Sequence, residues 1–337
     1  MNTIDDKQPV KIEISVIAPS VSKLSFYTPC FISSNDQVIS EVEVYSLKDV
    51  LDNGYTEDSD AYEYCKLAFI QSPRVESVIL IAKRSDQTYF EAIALSKHSK
   101  YYYVTINSKD PLDVFNLANS LLSINYTKLV FHSSDELDFG VLSGLVNVVV
   151  LYQGVKWLWD TGLNIVWDND DFVANDSYKY PEAAWISRCG CIFPSLIQWL
   201  EKELVGIDSE DINDVRDFNY TTSIEDYNVT WGNGTTCDGE WIDHRVFEDW
   251  LKVSIQRNIW NLFKSSPKVS ASKNGVDNIS LRLKEVLEFG VKQDGIISYK
   301  IKNPVVNRMT RSVAIDFEYE RQHAIIGVRT IKGTLNA

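Results

Sequence analysis

The chain has 337 residues, of which 45% are hydrophobic, and this is enough for one large domain or two ordinary ones with a buried core. The formal net charge is −14, so free nucleic acid is a poor partner, because an acidic protein repels phosphate. The acidic N-terminus has no apolar core of a secretion signal, and no apolar run approaches the ~20 residues of a membrane helix. Five cysteines, an odd number scattered along the chain, indicate free thiols in a reducing compartment.

Strand and helix signals alternate through the first half of the chain, which predicts a largely parallel or mixed sheet. Ser46 and Ser59 are expected to cap the first two helices, and Pro111 stands at a favoured first helical position. The predicted strands are 11–17, 26–32, 77–82, 101–106, 128–132 and 146–152. The predicted helices are 47–52, 60–71 and 111–122.

The second half is predicted to hold two amphipathic helices followed by strands. Residues 154–180 are predicted to form a long loop, 181–206 interrupted helical segments, and 208–226 an acidic linker, before a strand and a turn at Gly232 and Gly234. Helices are predicted at 245–264 and 278–289, the second capped by Asp277. The inward stripe of the second helix is predicted to be Ile279, Leu283, Val286, Leu287 and Gly290.

Candidate catalytic and metal-binding motifs are weak throughout. There is no phosphate-binding glycine loop, no nucleophile elbow and no zinc-protease helix motif. Cys189 and Cys191 lack a second Cys/His pair at a usable spacing for zinc, and the acidic run 168–171 lacks the glycine and glutamate of a calcium loop. Asp243-His244 is the single suggestive pair of neighbours. We therefore predict no catalytic residue, no metal and no cofactor.

Both ends of the chain carry β-type residues with no adjacent partner strand. A strand must find a hydrogen-bonding ladder or remain solvated, so two arrangements remain open. Both segments pair within the chain, or both add to the sheets of neighbouring copies by strand exchange. The residues of these predicted arms are Lys11, Ile12, Ile14, Val16, Ile325, Ile326, Val328, Ile331 and Leu335.

The charge is distributed unevenly. Residues 241–337 hold 16 Lys and Arg against 10 Asp and Glu, a net of +6, which leaves −20 for the remaining residues. Either the C-terminal part faces an acidic partner, or the difference is chance variation on two solvated surfaces.

Three stretches together resemble the sheath protein of contractile bacteriophage tails and of related contractile injection particles. The first is Val44-Tyr-Ser-Leu-Lys-Asp-Val50 followed by 62–69, Gln71-Ser-Pro73 and the apolar strand 78–84. The second is 227–250, with Val-Thr-Trp, a glycine-rich turn, Ile-Asp and Asp-Trp-Leu before a long helix. The third is the helix ending near Gly290 and Gly295, then 304–327 with Arg311 before the closing strands. The chain is short for this family, and 154–226 and the loop 268–275 match its pattern loosely.

The resemblance implies a structural protein with a mixed α/β (α+β) fold. The expected parts are an N-terminal arm (1–18), an outer α/β domain with a mixed sheet (19–180), a tube-facing α+β domain (181–322) and a C-terminal β arm (323–337). Copies are expected to stack as six-fold rings around a tail tube in the virion, after assembly in the bacterial cytoplasm. Contraction then drives the tube through the host envelope.

The partners implied by the resemblance are further copies of the chain, the tube protein, and baseplate and terminator proteins, with no membrane insertion. In such sheaths the C-terminal part faces the tube, which makes Arg282, Lys284 and Lys292 candidate tube contacts. Two alternatives remain open. The chain is another tail component (tube, terminator or baseplate protein), or it is a soluble α/β enzyme with an unrecognised pocket.

Overall fold

The computed structural model describes residues 25–34, 41–96, 101–108, 110–122, 128–133, 142, 144–152, 180–207, 219–224, 227–232 and 234–323. The chain divides into two compact units, residues 22–250 and residues 251–337 with 1–21. The predicted division at residues 180 and 181 therefore lies inside the larger unit, and the outer and tube-facing assignments stay predictions.

An eight-stranded mixed sheet forms the frame of the larger unit. Its strands are β1 (Cys30–Ser34), β2 (Val42–Val44), β3 (Val78–Lys83), β4 (Tyr103–Ile106), β5 (Lys128–Ser133), β6 (Val148–Tyr152), β7 (Asn219–Ile224) and β8 (Tyr227–Gly232). Their order is β2-β3-β1-β4-β5-β6-β7-β8, with parallel neighbours inside and an antiparallel pair at each edge. Parallel strands require cover on both faces, which explains the continuous apolar runs at β1 and β3.

Five helices of the larger unit are α1 (Leu47–Asp52), α2 (Asp60–Ile70), α3 (Tyr89–Ala94), α4 (Pro111–Leu121) and α5 (Pro181–Gly190). The predicted caps are confirmed, since the side chains of Ser46 and Ser59 accept from backbone N–H groups and Pro111 begins α4. The sequence prediction omitted α3, which begins with a capping box between Thr88 and Glu91.

Helix α5 joins the larger unit because it packs against α2. Trp185 on α5 is fully buried, and its indole nitrogen donates a 2.8 Å hydrogen bond to the carbonyl oxygen of Trp199. At the end of α2, the buried amide of Gln71 donates to the carbonyl oxygens of Leu67 (2.9 Å) and Val205 (2.7 Å) and accepts from the Val205 N–H (3.0 Å). These bonds fasten the segment after α5 to α2.

The predicted linker 208–226 contains a strand. Residues Asn219–Ile224 form β7, which pairs with β6 in parallel and with β8 in antiparallel register. The Asn-Tyr-Thr-Thr-Ser-Ile sequence has the β-branched and aromatic residues of a strand, but the surrounding acids masked that signal. After β8, Gly234 adopts a left-handed φ of 66°. The predicted hairpin turn at 232–234 is not the turn of the β8 hairpin in the described residues, since Gly232 ends β8 and β8 pairs with the preceding strand β7.

The smaller unit contains two helices and two pairs of short strands. Its elements are the part of α6 (Ile242–Ser265) from Leu251 onward, α7 (Lys273–Lys292), β9 (Ile296–Ile301), β10 (Val305–Asn307), β11 (Ser312–Ala314) and β12 (Phe317–Arg321). The inward stripe predicted for the second helix is confirmed, because all five of its residues are buried in α7. The helix begins earlier than predicted, after Ser272 and not after Asp277.

The fold class is the predicted mixed α/β type, with helices and a mixed parallel and antiparallel sheet. None of the helices in the described ranges combines the length and the apolarity needed to span a bilayer.

Candidate assembly surface

The strand pair β9–β12 of the smaller unit is a candidate edge for strand addition. The two strands are antiparallel, with Tyr319 opposite Tyr299 and Phe317 opposite Ile301. One face packs toward α7, where the Tyr299 hydroxyl donates a 3.3 Å hydrogen bond to Glu288. Within the described residues, β9 has β12 as its single partner strand. An edge of this kind offers a row of backbone donors and acceptors to another strand.

The predicted arms that would use such an edge lie outside the described residues. All nine arm residues fall in 1–24 or 324–337. Their pairing therefore stays a prediction.

A groove of about 800 Å³ lies in the smaller unit beside this strand pair. Its apolar lining comes from successive turns of α6 and α7 and from the strand region. The apolar lining residues are Ile255, Ile259, Phe263, Val269, Ala271, Ile279, Leu283, Val313, Ile315 and Phe317. Phe263 is 43% exposed, so part of this apolar surface faces solvent.

Three cations line the same groove, and no carboxylate from the described part of the chain does. Lys268 comes from the loop before α7, and Arg308 and Arg311 come from the turn of the β10–β11 hairpin. All three side chains are exposed, and none forms an ion pair with another described residue. We call this apolar groove with its three cations the basic groove.

Local backbone chemistry fixes the position of the two hairpin arginines. The Asn307 side-chain oxygen accepts from the N–H groups of Met309 (3.0 Å) and Thr310 (3.2 Å), which is the usual role of asparagine at a turn. Arg311 has a left-handed φ of 54°, an uncommon conformation for a residue with a Cβ atom. The turn therefore presents Arg308 and Arg311 on a constrained support.

The loop 268–271 forms another wall of the basic groove and folds closely over the first turn of α7. A Cβ atom added at Gly275 would overlap the carbonyl oxygen of Ser270. Glycine at this helical position therefore allows the close approach of the loop, at the expense of helix propensity.

Helix α7 carries the three predicted tube-facing cations in two different states. Arg282 pairs with Glu285 at 2.9 Å, and Lys284 pairs with Glu288 at 3.3 Å. Hydrogen bonds to Glu285 lower the pKa of its carboxyl group, with the Asn258 side chain making the larger contribution and Arg282 the smaller one. Lys292 is exposed and forms no ion pair with a described residue.

The weak catalytic and metal candidates occupy separate positions. Cys189 is buried, Cys191 is half-buried, and burial raises the pKa of both thiols. His244 is buried, with Nδ1 2.9 Å from a carboxylate oxygen of Glu240. In the described part of the chain, no three His, Cys, Asp or Glu side chains converge as a metal site, and 168–171 lie outside it.

Sequence reasoning missed one buried ionic contact in the larger unit. Lys128 begins β5, and its ammonium lies 2.9 Å from a carboxylate oxygen of Asp249 on α6. The Tyr102 hydroxyl donates a 2.7 Å hydrogen bond to the same oxygen. Asp249 belongs to the Asp-Trp-Leu signature of the sequence, but nothing in the sequence connects it to a lysine 121 positions earlier.

No protein-family model and no curated protein matches the chain. Solved structures do match it along its whole length. A chain of the six-fold symmetrised baseplate of the anti-feeding prophage (AFP) matches with a TM-score of 0.64 and 12% identity over 100% of both chains. A chain of the contracted sheath complex of PVC, an extracellular contractile injection system, matches with a TM-score of 0.67 and 13% identity over 99% of both chains. The contracted AFP helical sheath matches with a TM-score of 0.64 and 12% identity over 99% of this chain and 100% of the other.

These matches define the class of fold. The chain has the fold of proteins from contractile injection systems, sheath proteins among them, over 99% or more of its own length and of theirs. The expected relationship to contractile tail sheaths is confirmed at the level of the fold.

Proposed function

We propose that the chain is a structural subunit of a contractile sheath. Copies would stack as six-fold rings around a tail tube, and contraction of the stack would drive the tube through a host envelope. The observation that carries the proposal is the match, over 99% or more of both chains, to chains from a contracted helical sheath and a contracted sheath complex. We also propose that its role is mechanical and not enzymatic, since these matched chains come from sheath assemblies.

The assembly function would depend on strand exchange at the smaller unit. We propose that the terminal segments 11–17 and 324–335 add to the β9–β12 pair of neighbouring copies. The support is the unfilled side of β9 among the described residues and the β-type composition of both segments. Contraction would then be a rigid-body rearrangement of subunits that remain linked by these arms.

Electron microscopy of negatively stained protein, expressed alone and concentrated, tests this proposal. We expect hollow tubes of regular width from the full chain and none from a variant that lacks 324–337. A shorter deletion of Asn336 and Ala337 is the matched control, because it leaves the predicted strand intact. Discrete monomers from the full chain at every concentration, with and without the purified tube of its own particle, would contradict the proposal.

The tube contact is a second proposal within the same function. We propose that the cations of α7 face an acidic tube surface, in the particle assembled in the bacterial cytoplasm. Arg282 and Lys284 already pair with carboxylates on their own helix, so Lys292 is the sharpest probe. Lys292→Glu should weaken co-sedimentation with the tube more than Lys284→Glu does, and equal binding by both variants and the wild type would reject α7 as the contact.

A baseplate protein is the second candidate, because one of the matching chains comes from a baseplate. The two candidates differ in what the isolated protein builds. A sheath subunit should extend into tubes of indefinite length, whereas a baseplate component should stop at a closed ring. The length distribution in the same micrographs separates them.

A further inference from the structure

The basic groove has the features of a docking site for an apolar group surrounded by carboxylates. Its lining combines aliphatic and aromatic side chains with the cations Lys268, Arg308 and Arg311, and no acidic residue of the described ranges belongs to it. Phe263 remains 43% exposed at its side. Partly exposed apolar surface beside cations that form no ion pair with a described residue favours an occupant that supplies both an apolar anchor and negative charge.

The two units of the chain carry opposite net charges. Residues 22–250 hold 16 Lys and Arg against 37 Asp and Glu, a net of −21. Residues 1–21 and 251–337 together hold 17 against 10, a net of +7. When identical copies meet, the smaller unit of one copy is therefore attracted to the larger unit of another.

The larger unit presents a surface of the complementary kind at its edge strand. Tyr45 follows β2 and is 50% exposed. The carboxylates of Glu43, Glu76 and Asp49 surround it closely enough that they raise the pKa of its hydroxyl, with Glu43 making the largest contribution. We call Tyr45 with these three carboxylates the Tyr45 patch.

Short local contacts hold the Tyr45 patch in place. Asp49 accepts a 2.9 Å hydrogen bond from the Tyr45 backbone N–H, and Glu43 accepts a 2.7 Å hydrogen bond from the hydroxyl of Ser77. Tyr45 stands directly before the Ser46 cap of α1. Because the Tyr45 backbone and the Glu43 carboxylate are held in place, these groups lose less conformational entropy when the patch binds to another surface.

We propose that the Tyr45 patch of one copy docks into the basic groove of a second copy. The ring would cover the exposed apolar lining, and the carboxylates would meet the three groove cations. The contact joins two different surfaces of identical chains, so it is heterologous and generates closed rings or open helical stacks. The inference rests on the proposed self-assembly and adds to it a specific contact between side chains.

Charge reversal on each side of the contact tests the proposal, with the critical concentration for assembly of the full chain as the readout. Glu76→Lys and Arg308→Glu should each raise the critical concentration by about tenfold, the effect of losing one close ion pair at an interface. The combined variant should recover part of that loss. Glu57→Lys and Lys264→Glu make the same charge changes on each unit outside the two surfaces and should leave the critical concentration within about twofold of the wild type.

The outcomes separate the inference from the proposed function. A wild-type protein that never assembles removes the proposed function and the inference together. A wild type that assembles, with the Glu76 and Arg308 variants no worse than their controls, overturns the inference alone. Loss of tube binding by Arg308→Glu with unchanged self-assembly also overturns it, because the groove would then serve the tube.

A crosslinking experiment adds a measurement that does not depend on the folding of the reversed variants. Tyr45→Cys and Phe263→Cys proteins are mixed and treated with a short bifunctional maleimide. Crosslinked dimers from the mixture, above those from either protein alone, support docking between copies. A Tyr45→Cys/Phe263→Cys double variant that crosslinks within one chain at high dilution would overturn the proposal, since the patch would then occupy its own groove.

Discussion

Breaking the buried pair of Lys128 and Asp249 should be among the most destabilising single substitutions in the larger unit. The side chains are 6% and 8% exposed, and their charged atoms lie 2.9 Å apart. The perturbation is Lys128→Met, which keeps the length of the apolar stem and removes the ammonium. The Asp249 carboxylate would then remain buried, with the Tyr102 hydroxyl as the hydrogen-bond donor to the oxygen that Lys128 had contacted.

The magnitude follows from burial. Removing one partner of a buried ion pair costs about 3 to 5 kcal/mol, because the remaining charge is neither solvated nor paired. Burial and then the charge of Asp249 raise the pKa of the Tyr102 hydroxyl, while Arg245 acts in the opposite direction. A second cation near this site therefore offsets part of the loss and favours the lower end of that range. For a unit of this size, a loss of about 3 kcal/mol corresponds to a fall of roughly 6 to 12 °C in the midpoint of thermal unfolding.

The control is a pair with the same charges on the surface. Lys66 and Glu63 lie 3.4 Å apart with side chains 55% and 33% exposed, so Lys66→Met should cost no more than about 0.5 kcal/mol. The assay is urea unfolding followed by far-UV circular dichroism, with hydrogen exchange of β4 and β5 peptides. Equal small losses in the Lys66 and Lys128 variants would refute the reasoning.

A double replacement separates the pair from simple damage to the core. Lys128→Met/Asp249→Leu removes both charges, and apolar replacement of a whole buried pair is often neutral. The double variant should therefore be more stable than Lys128→Met alone by about 2 kcal/mol or more. If the double variant loses as much stability as Lys128→Met and Asp249→Leu together, the loss in Lys128→Met comes from packing and not from the unpaired carboxylate.

Three further outcomes are expected. Gly275→Ala should lower the opening free energy of α7, measured by hydrogen exchange, by about 1 to 2 kcal/mol. The reason is that overlap of the new Cβ atom with the Ser270 backbone oxygen outweighs the roughly 1 kcal/mol gain in helix propensity. The control Asn274→Ala should not lower the opening free energy. Asn258→Asp should lower the free energy of unfolding by about 1 kcal/mol at pH 7, and this loss should shrink as the pH falls toward about 4. The wild type should show the opposite trend, because the lowered pKa of Glu285 means that its stabilising contribution is lost on acidification. Gln71→Leu should cost roughly 2 to 4 kcal/mol in urea unfolding, because the Val205 N–H and the carbonyl oxygens of Leu67 and Val205 lose their partner.

The parts of the fold that local chemistry determines were predictable from the sequence. Helix starts at Ser46, Ser59 and Pro111 were predicted correctly, because a cap or an N1 proline acts within one turn of the residue itself. The start of α7 was predicted too late, because Asn274 and Gly275 have poor helix propensity and concealed its first turn. In that case, packing of the preceding loop overrides propensity.

Contacts between distant segments could not be predicted. Gln71 belongs to a short Gln-Ser-Pro signature of the sequence, but its role depends on the fold, since its side-chain amide hydrogen-bonds to Val205, 134 positions later. The Lys128–Asp249 pair likewise joins segments that the sequence separates by more than 100 residues. A single sequence contains both partners of such a contact but not the fold that brings them together.

The charge pattern of the sequence identifies a basic region of the chain but not which of its cations are available to bind a partner. The excess of cations from residue 241 onward points to the smaller unit, but a count of charges treats all of them alike. In the structure, Arg282 and Lys284 are paired on the surface of α7, whereas Lys268, Arg308 and Arg311 form no ion pair with a described residue beside the exposed apolar groove. Because an already paired cation gains less from a new carboxylate than an unpaired one, the acidic partner of this unit should be sought first at the hairpin and the basic groove.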